Sequence, residues 1–401
     1  MTLTGRQARS GWKDLVRSLL DSGAMAPEWA ESFEAVDRAR FLPRMMWPYD
    51  MTTRTSTRSD REVEPAAWYW YADTNVPITT QWDDGRHTGT APGSVPTSSA
   101  SAPSVVSAML RDLDVRDGKA LEIGTGTGWN AGLLARRLGG QQVTTVEVDA
   151  MVARSAKAAL HDAGLDPAVV VADGLLGHPQ GAPYDRIIAT MGLRAVPYAW
   201  VRQTVPGGVI VAPWGTHYSH TDAVARLVVG EDGSSASGRF TRPVEFMKAR
   251  AHPHRLARAP HSEYVPGGDV AAAAESTSST TLSARGLGIE DRLPHPFPFA
   301  AGLLLGQDCV SASDRRGDSC SVWLYGITDR SWAATVLRDG QPASTVYQGG
   351  PRRLWDQTET AHRWWTDTGE PQVHRFGLTV TSEGEQAWLD TPRQPVTTDS
   401  M

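Results

Sequence analysis

At 401 residues the chain exceeds the usual size of one domain, so two are expected. A net charge of −6 and an isoelectric point near 6.0 offer no basic surface, which argues against nucleic acid as the main partner. No apolar run approaches the ~20 residues of a membrane span and the first residues lack a signal-peptide core, so a cytoplasmic protein with no membrane partner is expected.

Cys309 and Cys320 are too few for a disulfide framework and read as buried thiols. No His or Cys pair near them has ligand spacing, so no metal site is expected. The 15 Trp outnumber the 9 Tyr and 7 Phe, which suggests that some line a groove while most fill the core. In chain order, residues 10–22 place Trp12, Leu15, Val16, Leu19 and Leu20 at helical spacing after Ser10. A short second helix follows Pro27, with Trp29, Phe33 and Val36 on one face. Val36, Arg38, Phe41 and Pro43 then form a run that resembles the V-x-R-x-x-F-V-P segment of protein-L-isoaspartate O-methyltransferases. Residues 52–64 are polar and charged, as in a mobile loop. In the stretch 68–86, Asp73, Pro77 and Ile78 fall where that family carries tyrosine-aspartate and proline-isoleucine. The aromatic run Trp68–Tyr71 and the insertion 83–95 are additional; they either alter substrate choice or elaborate a loop.

Ser99, Ser101, Pro103, Val106 and Met109 match the family's T-I-S-x-P-x-x-V-x-x-M motif, and Ser101 aligns with its active-site serine. On residue chemistry alone Ser101 also reads as the N-cap of a helix whose first turn holds Pro103. Residues 119–123 read as a buried strand, after which Gly124, Gly126 and Gly128 open a tight turn into a helix ending near Leu138. The next strand ends at Glu147, about 20 residues beyond, where an acid accepts ribose hydroxyls. This G-x-G-x-G spacing differs from the dinucleotide form, and Glu122 precedes it; a carboxylate there would repel a pyrophosphate but suits a ligand with a positive end. The run Glu122, Gly124, Thr125, Gly126, Gly128 resembles motif I of class I methyltransferases, which implies S-adenosylmethionine as cofactor, with Glu122 facing its methionyl part.

A helix over 151–163 and a strand over 168–173 follow; the resemblance assigns Asp173 and Gly174 to the adenine. Strands at 183–190 and 205–215, the latter opening on Pro-Gly-Gly, complete alternating βα units and predict a parallel, doubly wound α/β sheet with its ligand at the strands' carboxyl ends. Closing strands are expected at 223–230 and 244–250, giving N-terminal helices and insertion over 1–95 and a methyltransferase domain over 96–250. Ser/Thr/Gly/Pro-rich composition reads as a linker over 251–285, and recovered apolar alternation as a C-terminal α+β accessory domain over 286–401, with a helix at 352–366 and a closing hairpin turning at 382–384.

The resemblance to the isoaspartyl family covers roughly residues 30–250 and implies a peptide carboxylate as methyl acceptor. A carboxylate is ionised at neutral pH, so the reaction needs alignment more than a strong base, and a hydroxyl at Ser101 can orient the acceptor oxygen. The extra C-terminal length, the aromatic insertion and the Trp129-Asn130 pair look like the offshoot that accompanies ribosomally made lasso peptides, graspetides and lanthipeptides. That resemblance implies methylation of an aspartate in a constrained peptide, leading to aspartimide, and this tailoring role is preferred to general isoaspartate repair because a repair enzyme has no evident need of another domain. Trp355, Trp364 and Trp365 are expected to grip the peptide; the alternative for this region is dimerisation or stabilisation. A third reading is a non-catalytic binding protein on the same fold.

Overall fold

The computed structural model describes residues 10–250, 258–289 and 295–397. The chain separates into two compact units, one of Met1–Met191, Pro197–Val211 and Val228–Ser234, the other of Gly192–Val196, Ala212–Leu227 and Ser235–Met401.

The first unit opens with α1 (Ser10–Asp21) and α2 (Ala30–Ala35). Trp12 and Phe33 are fully buried, and both meet Trp129 edge-on at centroid separations of 5.8 and 5.5 Å. Both indole N–H groups are satisfied, Trp12 donating to Phe33 O and Trp129 to Val36 O, so these large side chains bury apolar area without orphaning a donor. Next come β1 (Met45–Asp50), two short strands β2 (Thr55–Ser56) and β3 (Ser59–Asp60), and α3 (Pro65–Ala72). The stretch 52–64 is therefore partly ordered, because β2 and β3 both pair with β1 and Arg44 holds Asp60 at 2.9 Å. β4 (Ile78–Trp82) and β5 (Pro96–Ala100) form an antiparallel hairpin, which makes the insertion 83–95 its connecting loop.

α4 (Pro103–Leu113) leads to β6 (Ala120–Ile123), α5 (Trp129–Leu138), β7 (Val143–Glu147), α6 (Ala150–Asp162), β8 (Ala168–Val171), β9 (Tyr184–Ala189), α7 (Tyr198–Arg202) and β10 (Thr204–Trp214). These strands are parallel in the order β10-β9-β6-β7-β8, a doubly wound α/β sheet as the alternation predicts. β6 is buried along its whole length and β9 along most of it, which is why they read as near-continuous apolar runs.

In the second unit β11 (Asp222–Val229) is followed by β12 (Ala236–Val244), α8 (Val270–Ala273), β13 (Ser276–Thr280), α9 (Pro296–Leu305), β14 (Cys309–Arg316), β15 (Ser319–Gly326), β16 (Trp332–Arg338), β17 (Ser344–Gly349), α10 (Leu354–Asp367), β18 (Phe376–Thr381) and β19 (Gly384–Leu389). The closing strand after β11 lies at 236–244, not 244–250. The boundary at 250 also gives way: β12 pairs antiparallel with β18, Ala236 opposite Val380, so the closing hairpin extends β12 instead of belonging to a separate accessory domain. Of the expected linker, 251–257 lies outside the described residues, while 276–280 forms an edge strand along β17. A strand of Ser and Thr has no apolar face to give it a period of two, so its composition passes for a linker. The apolar run 300–305 is helical; α9 is buried on nearly all sides and packs on α10 through Phe297 and Trp365, 5.5 Å between centroids. Trp355 and Trp365 are core residues of that helix and only Trp364 is half-exposed, which removes two of the three expected peptide contacts.

Candidate active site

The glycine turn grows out of the carboxyl end of β6. Gly124 N and Thr125 N both donate to Val146 O on β7, and Gly124, Gly126 and Gly128 all have positive φ, at 95°, 52° and 86°. At Gly126 a Cβ would also lie 3.4 Å from Ser99 O of β5, so this position combines a left-handed backbone with a close approach. Gly174 is glycine for a different reason: a Cβ there would sit 2.3 Å from Ile123 Cγ2, against β6.

Glu147 ends β7 and is nearly buried. Its Oε2 accepts from Gly126 N at 2.9 Å and its Oε1 from Asp149 N at 3.1 Å. Each oxygen keeps a second lone pair, so the carboxylate braces the glycine turn and can still accept two hydroxyls. Asp149 caps α6 through Met151 N and Val152 N, while its other oxygen accepts from Gln81 Nε2 at 3.0 Å. At the end of β8, Asp173 Oδ1 accepts from Leu175 N, which leaves Oδ2 for a ligand.

Behind the turn lies a buried polar chain. Glu122 is fully buried; Asn130 Nδ2 donates to its Oε1 at 2.7 Å and Thr145 Oγ1 to its Oε2 at 2.6 Å. The Thr145 and Thr125 hydroxyls lie 2.6 Å apart, and with Thr145 donating to an ionised Glu122 the proton of that contact comes from Thr125. Burial pushes the Glu122 carboxyl up to about 7, with the Glu147 charge adding to it and the two hydrogen bonds opposing. Glu122 and Thr125 thus support the turn from within, and Asn130, with a buried Oδ1 that has no partner, lies between that chain and the turn's helix.

Ser101 is half-buried between β5 and α4. It is not the helix cap: that position is Ala102, with no side-chain cap bond, and Ser104 N is instead satisfied by Asn75 Oδ1 at 2.9 Å. The insertion 83–95 is pinned by Asp83, whose carboxylate accepts from Ser94 N and Val95 N and is held below its usual range by those bonds. Trp47 packs edge-on against Trp82 and donates to Thr90 O, fixing the far side of the same loop. Trp68 of the aromatic run is fully buried, while Trp70 is 60% exposed. The structure brings Glu122, the three glycines, Thr125 and Glu147 into one continuous network, and places Asp173 at the end of β8 and Ser101 at the end of the hairpin. Sequence reasoning missed Thr145, Asp149, Gln81 and the role of Asn130; Asn130 carried a signal as the single polar residue of its helix before Arg136 and Arg137, and Asp149 as an acid directly preceding a helix. Among the described residues no group of three or more His, Cys, Asp or Glu could hold a metal ion.

A family model described as protein-L-isoaspartate(D-aspartate) O-methyltransferase matches residues 10–248. The chain is 38% identical over 136 residues to the protein-L-isoaspartate O-methyltransferase of Pyrococcus horikoshii, covering 33% of this chain and 61% of that protein. It is 40% identical over 121 residues to the protein of the same name from Thermococcus onnurineus, covering 29% and 54%. The chain therefore spans little more than half the length of these relatives. A solved structure named protein-L-isoaspartate O-methyltransferase superposes with a TM-score of 0.52 at 19% identity, over 94% of this chain and 99% of that one. That extent reaches well past residue 250, so the C-terminal region has a counterpart in the neighbour's fold.

Proposed function

The chain belongs to the protein-L-isoaspartate(D-aspartate) O-methyltransferase family, and on that premise we propose that it transfers a methyl group from S-adenosylmethionine to an isoaspartyl carboxylate in proteins or peptides. The carrying observation is Glu147: it sits at the carboxyl end of β7, bonded to Gly126 N, with lone pairs free for a ribose. The residues present fit the cofactor, because Asp173 keeps an acceptor at the next strand end and Asn130 Oδ1 offers an unpartnered acceptor suited to a positive group. When bound, S-adenosylmethionine supplies an electrophilic sulfonium methyl. Glu147 would hold the ribose and Asp173 the adenine, while Glu122 and Thr125 keep the turn in shape. Ser101 would orient the acceptor oxygen toward the donor, the alignment that oriented reactants exploit at large magnitude. Among the described residues no helix is long and apolar enough to cross a membrane.

The second reading, methylation of an aspartate in a constrained ribosomal peptide with aspartimide as product, is favoured by the pinned 83–95 loop and the exposed Trp70. Radiolabelled methyl incorporation separates the two. Turnover of a plain linear isoaspartyl peptide at least ~10-fold above a cyclised aspartyl peptide supports repair; the reverse order supports tailoring. No binding of S-adenosylmethionine by calorimetry would sink both.

A further inference from the structure

The buried guanidinium of Arg38, three residues past the end of α2, converges on backbone carbonyls. Arg38 is fully buried. Its Nη2 reaches Val76 O at 2.9 Å, Ala100 O at 2.9 Å and Ser101 O at 3.0 Å, so one of its two N–H groups is shared between two carbonyls, and its Nη1 donates to Thr74 O at 3.3 Å. The acceptors belong to two stretches: the turn before β4 and the end of β5. Ile78 pairs with Ala100, so these stretches form the open end of one hairpin, and Arg38 closes it. The guanidinium carbon also stands 5.7 Å from the ring of Trp129, the first residue of α5 after the glycine turn. One planar fork thus ties the hairpin end to the start of the helix that follows the cofactor turn.

We propose that Arg38 is a positioning residue that sets Ser101 against the glycine turn; this rests on the role assigned to Ser101 above. Ser101 lies in neither β5 nor α4, and no cap bond holds the residue after it. Its carbonyl is held by Arg38, which fixes the peptide plane from which its side chain projects. A lysine keeps the charge but is a point donor on a flexible stem and cannot reproduce the fork. Burial lowers the Arg38 pKa to about 9, opposed by the charge of Asp73, so the group remains a cation at neutral pH.

The test is a kinetic cycle on the full chain with a linear isoaspartyl peptide, using Arg38→Lys, Ser101→Ala and the double variant. Each single variant is expected to lower kcat by about 10–100-fold, the range a misplaced reacting group produces. Calorimetric affinity for S-adenosylmethionine should stay within about 3-fold, and the double variant should be no slower than Ser101→Ala alone. A merely structural Arg38 would multiply the losses, and that result overturns the proposal, as does full kcat in Arg38→Lys. If Ser101→Ala turns over normally, the serine's assigned role fails and the positioning role with it; if Ser101→Ala is slow and the losses multiply, only the positioning role fails. Should Arg38→Lys not fold, Asp73→Asn, which removes the charge opposite the guanidinium, takes its place. A loss of kcat that vanishes in the Ser101→Ala background supports the proposal, and an unchanged or multiplicative kcat overturns it.

Discussion

The glycine-turn region and the C-terminal hairpin region each draw a glutamate out of water, Glu122 fully and Glu385 in part, and they use it differently. Glu122 joins Asn130 and Thr145, and Thr145 in turn meets Thr125 of the glycine turn. Glu385, on β19, accepts from Val196 N and from Trp214 Nε1 at 3.0 Å. In the same unit Asp222 is fully buried between Arg194 and Lys248. Polar burial in the first region leaves acceptors at its rim, on Glu147 and Asp173. In the second it closes on itself and holds strands and loops together. Buried polar groups are costly in both places unless partnered, so the choice of partner shows what each network serves.

The largest effect is expected for Asp222→Ala, which removes the buried carboxylate between Arg194 and Lys248 and should cost about 3–5 kcal/mol in urea unfolding. Affinity of the folded fraction for S-adenosylmethionine should not change; a parallel loss would erase the distinction between the regions. Gly126→Val strains a left-handed backbone and crowds Ser99 O. It should weaken S-adenosylmethionine by about 100-fold or more while costing about 1–2 kcal/mol of stability, measured by calorimetry and denaturation.

Titration sharpens the comparison further. Burial raises Glu122 and Glu385 from 4.5 to about 7 in the folded chain. Between those values the folded protein holds protons that the unfolded chain has released. The contribution is therefore complete below pH 4.5 and is lost as pH rises through 7, by at most ~1.4 kcal/mol per pH unit for each group. Glu122→Gln and Glu385→Gln should each flatten that decline in unfolding measured from pH 5 to 8, and only Glu122→Gln should also alter cofactor affinity. The smallest effect belongs to Trp364→Ala, which should change peptide KM by less than about 2-fold; a large rise would restore the grip that burial of Trp355 and Trp365 argues against.

β6 and β9 were legible because burial on both faces leaves near-continuous apolar runs, and the glycine turn because its spacing and Glu147 are local. β13 was hidden by its hydroxyl composition. The pairing of β12 with β18 joins residues more than a hundred positions apart, and neither strand's pattern names its partner. At the site, Glu122 was recognised but its burial was not, since that depends on Asn130 and Thr145 arriving from α5 and β7. Arg38 was visible only as a letter in a matching segment; that it gathers four carbonyls follows from the hairpin's closure.

The inward-pointing hydroxyl of Thr125 has a consequence for inhibitors. Thr125 is 4% exposed and its hydroxyl lies 2.6 Å from that of Thr145, so little of the side chain is left for a ligand to select on. Compounds built to exploit that wall would discriminate poorly among proteins sharing the turn, and selectivity for this chain would have to be sought along residues 83–95.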